Sequence, residues 1–412
     1  MRNRPTPRLG AGRRIWRRAG SAALAAAASL VLPMAADAAT LKYADTVMTG
    51  LANPRGLAFG PDGALYVAEA GSGGTEGVVN PDSPQPTGYG RTGGISRYGS
   101  GVQERVVSGL ASIAGSGGAQ AIGTQDVAFD ADGTLHAVIG LGNDPAVRTG
   151  DLSGAPGAGL LGTLVAVENG APTGVADLAG FEAANNPDGG VPDSNPFSLV
   201  THGSGFLVAD AGGNDVLTVD GTGAITVEAV LPPGTNPLPF GPPFYQAVPT
   251  GAALGPTADV FLGQLTGFPF PPGAAQIYSI EGGALSIVAG GFTNIIDLAF
   301  GADGTLFALE LDSDGLLNPG SNGALYSIGG DGSSRLLFDD LINPTGLAIG
   351  ANGAVFVSNN GFSATEGTVI RLAPVPVPAA LPALGGGLLL LAGWRLCTSS
   401  LQKRSDIMPR RV

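Results

Sequence analysis

The chain has 412 residues, of which 69 are Gly and 32 Pro; 44% are hydrophobic and only 13% charged. That balance excludes a coiled coil or helical bundle, and the apolar fraction is too high for a disordered chain. The formal net charge of −13 excludes an electrostatic footprint for nucleic acid, and a single cysteine, Cys397, excludes a disulfide framework and a cysteine-based zinc site.

Residues 1–38 read as a signal peptide. Seven Arg precede an Ala/Leu/Val-rich run from Ala19 to about Ala36, and Ala36 and Ala38 have the small side chains that signal peptidase accepts. The Arg13-Arg14 pair leaves Sec and twin-arginine export both open.

Residues 39–372 contain one unit six times: a small polar lead, an apolar strand, a tight turn and a second apolar strand. The copies are PRGLAFGPDGALYVAEAG (Pro54–Gly71), TQDVAFDADGTLHAVIG (Thr124–Gly140), PFSLVTHGSGFLVADAG (Pro196–Gly212), PTGAALGPTADVFLGQLTG (Pro249–Gly267), IIDLAFGADGTLFALE (Ile295–Glu310) and PTGLAIGANGAVFVSNNG (Pro344–Gly361). They begin about 45 to 72 residues apart, which is blade spacing. Gly63, Gly133, Gly304 and Gly353, each after an Asp or Asn, provide the positive φ of tight hairpins. No single small sheet buries both faces, so the pattern predicts an all-β, six-bladed β-propeller. The strand Leu41–Met48 is expected to complete the last blade beside Gly367–Leu372. Long inserts at 71–92, 140–159 and 179–195 are expected as surface loops.

Residues 373–412 hold a Val-Pro-Val-Pro motif, an apolar run and a basic end that includes Arg395, Lys403, Arg404, Arg410 and Arg411. This resembles the PEP-CTERM type of sorting signal, with a short transmembrane helix. Val377 stands where that motif has Glu. The resemblance implies signal peptidase and an exosortase-type sorting enzyme as partners, and an envelope or extracellular-matrix destination. The two ends carry 12 of the 20 basic residues and 2 of the 33 acidic ones, so the body stands at a net −23. Such a body favours solubility outside the cell and attracts cations.

The stretches VADLAGFEAANNPDGGVPDSNPF, VADAGGNDVLTVD and LTGFPFPPGAAQIY, with the first and fifth repeats, resemble the ScyD/ScyE family of exported bacterial propellers across about Leu41 to Leu372. The resemblance implies an NHL/SMP-30-like propeller. Function follows from it only loosely, with a late step in a scytonemin-type pathway as one option.

Aligned, the six hairpins end in Glu69, Ile139, Asp210, Gln264, Glu310 and Asn359. Equivalent points on successive blades converge toward an axis. Glu69, Asp210, Glu310 and Asn359 are therefore the candidate ligands for Ca²⁺ or another divalent cation. A second ring comprises Arg55, Gln125, Phe197, Thr250, Ile296 and Thr345, with Asp126 and Asp297 following in two copies. Arg55 and Gln264 are the candidate substrate contacts, and Arg55 could instead pair with Glu69 or Asp126. His136 fits strand packing and His202 an exposed turn. Two functions stay open: an exported binding or scaffold module for an extracellular polymer or small molecule, and a metal-dependent hydrolase of the lactonase kind, in which the metal polarises a carbonyl.

Overall fold

The computed structural model describes residues 41–318, 320 and 322–375. The expected signal peptide and the C-terminal segment beyond Val375 lie outside these residues, while Ala373 and Pro374, expected as the start of that segment, continue the last strand of the blades. No helix among the described residues is long and apolar enough to cross a membrane.

Six antiparallel sheets of four or five strands follow one another along the chain, with a two-stranded ribbon, Gly234–Thr235 and Phe244–Tyr245, between the third and fourth. From the innermost strand outward, blade 1 comprises Pro54–Phe59, Leu65–Glu69, Thr87–Gly99 and Val102–Ala114, with Gly77–Val79 added beside the third strand. Blade 2 is Thr124–Phe129, Leu135–Ile139, Thr163–Glu168 and Ala171–Asp177. Blade 3 is Pro196–His202, Gly205–Asp210, Asp215–Val219 and Ile225–Val230. Blade 4 is Pro249–Leu254, Val260–Gln264, Ala275–Glu281 and Ala284–Phe292. Blade 5 is Ile295–Phe300, Leu306–Glu310, Asn322–Ile328 and Ser334–Ile342. Blade 6 is Gly346–Ile349, Val355–Asn359, Gly367–Pro374 and, outermost, the strand Leu41–Leu51 from the start of the described chain. That last pairing is the expected closure. Leu41 lies opposite Pro374 and Leu51 opposite Gly367, and Arg371 donates to both carboxylate oxygens of Asp45 at 2.8 and 2.9 Å.

The inner hairpins repeat one piece of local chemistry. Gly60 N–H bonds Ala64 C=O, Gly63 turns at φ 74°, and Asp62 Oδ1 accepts Ala64 N–H. Blades 5 and 6 repeat it with Asp303 and Asn352 as acceptors and Gly304 and Gly353 at φ 83° and 76°. The Asp-Gly or Asn-Gly pair thus sets the turn, and the turn sets the strand register.

The core is not one centre. It is a series of slabs, one between each pair of neighbouring blades, closing with Met48, Leu51, Leu57, Val67, Ala348 and Val369 between blades 6 and 1. A ring of aromatic side chains on the second strands crosses these seams. Tyr66 meets Phe129 at 4.9 Å, Phe261 meets Phe300 at 5.1 Å and Phe356 meets Phe59 at 5.4 Å between centroids. His136 occupies the same position in blade 2, is buried and packs 4.5 Å from Phe206, as its place among Tyr and Phe predicts. His202 is half-buried rather than exposed.

Because every blade is antiparallel, short hairpins gather on one face and the longer connections on the other. That second face carries 70–86 and 140–162, together with the crossing from blade 2 to blade 3. All three expected surface loops contain more order than expected, the second holding a 3₁₀ turn at Pro145–Arg148. Thr87–Thr92 extends a blade-1 strand, and the third insert holds an α-helix, α1 (Leu178–Asn185). Asp177 caps α1 by accepting Gly180 N–H at 2.9 Å, and Asn186 ends it in the left-handed region at φ 39°. An Asp N-cap and an Asn C-cap are legible signals that the Gly/Pro-rich surroundings obscured.

Candidate functional site

The innermost strands bring the second ring together at the axis. Gln125, Phe197, Thr250, Ile296 and Thr345 line a central cavity with Gly56, Asp126, Ser198 and Asp297. Its volume is about 10 Å³, room for no more than one water. The residue after each ring position is Gly56, Asp126, Ser198, Gly251, Asp297 and Gly346. In three blades this side chain reaches the next blade. Asp126 accepts Leu199 N–H at 2.8 Å, Ser198 Oγ accepts Ala252 N–H at 3.2 Å and Asp297 accepts Leu347 N–H at 2.7 Å. In the other three it is Gly, and the next strand moves in. A Cβ on Gly251 would stand 2.7 Å from Asp297 Cα.

Both axial carboxylates are half-buried and shifted. Burial pushes Asp126 up to about 7 against its bonds from Leu199 and Val127 N–H. Burial, and then the charge of Asp126, pushes Asp297 well above the usual carboxylate range.

Arg55 is buried at 4% exposure and faces carbonyls. Its guanidinium donates to Gly361 O and Ala121 O at 2.6 Å, to Pro54 O at 3.0 Å and to Gln125 Oε1 at 3.1 Å. The ring of Phe362 lies 5.7 Å away. The expected alternatives of a Glu69 or Asp126 partner do not form; Glu69 instead pairs with Arg105 at 3.1 Å. Burial lowers the Arg55 pKa to about 10. Five donors in a fixed fork can serve several carbonyls at once, so Arg55 ties the inner strand of blade 1 to the loops on either side.

The four candidate cation ligands share a different task. Glu69 accepts Ala52 N–H at 2.8 Å, Asp210 accepts Asn195 N–H at 2.6 Å, Glu310 accepts Thr293 N–H at 2.7 Å and Asn359 accepts Ile342 N–H at 2.8 Å. Each of these donors lies on the chain entering that residue's own blade. The side chain at the end of the second strand therefore latches the crossing segment. Hydroxyls complete the carboxylates: Ser96 to Glu69, Ser194 to Asp210 and Ser313 to Glu310. Gln264, in the equivalent place of blade 4, is buried with its Oε1 unpartnered. Ile139 fills the position in blade 2 with apolar packing. Among the described residues, no three Asp, Glu, His or Cys side chains gather as a metal-binding group. The sequence register located these equivalent positions; the backbone donors facing them come from residues 15 to 17 positions earlier and left no sequence mark.

No protein-family model and no curated protein sequence matches the chain. Among solved structures, a calcium-binding regucalcin from Agrobacterium tumefaciens is 12% identical, with a TM-score of 0.45, covering 82% of this chain and 97% of that one. A gluconolactonase from Xanthomonas campestris is 12% identical, with a TM-score of 0.44, covering 81% and 99%. Virginiamycin B lyase from Staphylococcus aureus is 14% identical, with a TM-score of 0.41, covering 82% and 90%. These likenesses are distant, and the six-bladed architecture of this chain stands on its own strand pairing.

Proposed function

We propose that the chain is an exported propeller that acts as a binding or scaffold module of the bacterial envelope or extracellular matrix, with its longer-loop face turned to its partner. One observation carries the reading: the axis is an internally bonded joint whose cavity of about 10 Å³ is too small to admit a lactone. The side chains that would hold an axial metal and orient a substrate are already engaged by backbone groups, Gln264 excepted. The longer-loop face offers more. Ser72, Thr75, Pro86, Ala114, Ser116 and Ala364 border an open cleft of about 550 Å³ there, suited to a polymer segment or small molecule. Export and sorting rest on the two terminal segments, with signal peptidase and an exosortase-type enzyme as the processing partners.

Two experiments test this. Truncation after residue 374 should move the protein from the envelope fraction to the medium; unchanged fractionation would remove the sorting proposal. Purified protein with Ca²⁺, Zn²⁺ or Mn²⁺ should leave γ- and δ-lactones intact. Lactone hydrolysis that disappears in Glu69→Gln and Asn359→Ala variants would overturn the scaffold reading in favour of a metal-dependent lactonase.

A further inference from the structure

Segments distant in sequence meet at one corner of the longer-loop face. They are α1 with the crossing that follows it, and the turn between the second and third strands of blade 3. They bring Glu182, Asp188, Asp193, Asp210 and Asp215 close enough to repel one another. Glu182, Asp210 and Asp215 are 2%, 1% and 1% exposed. Asp210 is satisfied, because it accepts from Ser194 Oγ and from the N–H groups of Asn195, Gly212 and Gly213. Asp188 accepts Asn214 Nδ2 at 2.9 Å.

The others are not satisfied. Glu182 Oε1 and Asp215 Oδ1 are buried without a hydrogen-bond partner, as are Asp193 Oδ1 and the amide oxygens of Asn186 and Asn195. The two buried carboxylates flank Gly213. A Cβ there would stand 3.3 Å from Asp215 Oδ1 and 3.4 Å from Glu182 Oε2. Gly212 likewise leaves room beside Asp193 Oδ1, 2.9 Å from where its own Cβ would be. Among the described residues no Lys, Arg or His forms an ion pair with any of the five carboxylates; the nearby Arg148 is held by Asp177 at 2.7 Å.

Buried carboxylate oxygens without a donor, in groups without a counter-charge, are costly, and native structures resolve that cost with a proton, a water or a cation. A proton satisfies one oxygen of one group. A hard cation satisfies several orphaned oxygens at once and neutralises a pair of carboxylates. The donor set is all oxygen and mixes carboxylate with amide, which matches Ca²⁺ with its large and irregular shell better than the compact octahedron of Mg²⁺. Burial, and then the charges of neighbouring carboxylates, push Asp215 up to about 9 and Glu182 up to about 7. We propose that Glu182 and Asp215 are the carboxylate pair of a Ca²⁺-class site off the propeller axis, completed by neighbouring amide and backbone oxygens and water. Asp188, Asp193 and Asp210 surround it with negative potential. The bound cation would fasten α1 and its crossing to blade 3.

CaCl₂ titrated into the purified full-length protein should give saturable heat with one site per chain and raise the Tm by several degrees. Glu182→Gln and Asp215→Asn should each weaken Ca²⁺ at least tenfold, while the Tm without Ca²⁺ holds or rises because a buried charge is removed. No heat and no Tm shift in the wild-type protein would overturn the proposal, whatever the variants do. A Ca²⁺ response that survives both substitutions but is lost in Glu310→Gln would overturn it too, by moving the site to the latch ring. Neither result depends on export or sorting.

Discussion

The axial acid pair makes the stability of this propeller depend on pH in a direction opposite to that of most surface carboxylates. Asp126 is half-buried, and desolvation at the axis raises its pKa from 3.8 to about 7. Below pH 3.8 the group is protonated in folded and unfolded chains alike and carries no penalty. Between that value and about 7 the unfolded carboxyl ionises first, unfolding releases a proton, and stability falls as the pH rises. Above about 7 the loss levels off. A rise from 3.8 to about 7 corresponds to on the order of 4 kcal/mol. Asp126→Asn abolishes this pH dependence. The amide oxygen can still accept Leu199 N–H, but Val127 N–H loses its acceptor, a pH-independent loss of about 1–2 kcal/mol. The variant should therefore be less stable than wild type at pH 4 and more stable at pH 8. Urea unfolding of both proteins at pH 4, 6 and 8 measures it. Asp297, Glu182, Asp193 and Asp215 shift in the same direction, so the difference between the two proteins isolates Asp126 and its effect on Asp297. A difference that stays constant with pH would refute the reasoning.

Arg55→Met should cost about 3 kcal/mol or more by orphaning the carbonyls of Gly361 and Ala121, and Arg55→Lys should not restore it because one ammonium cannot replace the fork; thermal melts within 1 °C of wild type would contradict this. Met48→Ala, in the closing strand at 1% exposure, should lose about 2–5 kcal/mol, read from the urea midpoint; a change below about 0.5 kcal/mol would mean that the strand adds little to closure. Asp45→Asn breaks a half-exposed ion pair on the same strand and should change stability by less than about 1 kcal/mol, the contrast that separates apolar closure from charge pairing.

Much of this molecule was written locally. The inner hairpins of blades 1, 5 and 6 combine a Gly at positive φ with an Asx side chain two residues before a free N–H, all within five residues, so Asp62-Gly63 and its counterparts announced the blades. The pairing of Leu41–Leu51 with Gly367–Pro374 was also legible, because an unmatched strand at one end and a blade short of one strand at the other have a single economical solution. The register of the two rings was legible for the same reason. Their chemistry was not. Whether Glu69, Asp210, Glu310 and Asn359 face a cation or an N–H is decided by where the crossing segment runs, and that path follows from how tightly neighbouring blades pack. The closeness of Glu182 to Asp215 likewise exists only once α1 folds back beside the turn of blade 3. Hydrophobic periodicity and turn residues act over a few positions and fix the blades. Burial, and with it the protonation and partners of every polar group at the axis and the longer-loop face, is a property of the closed ring, and only tertiary structure decided it.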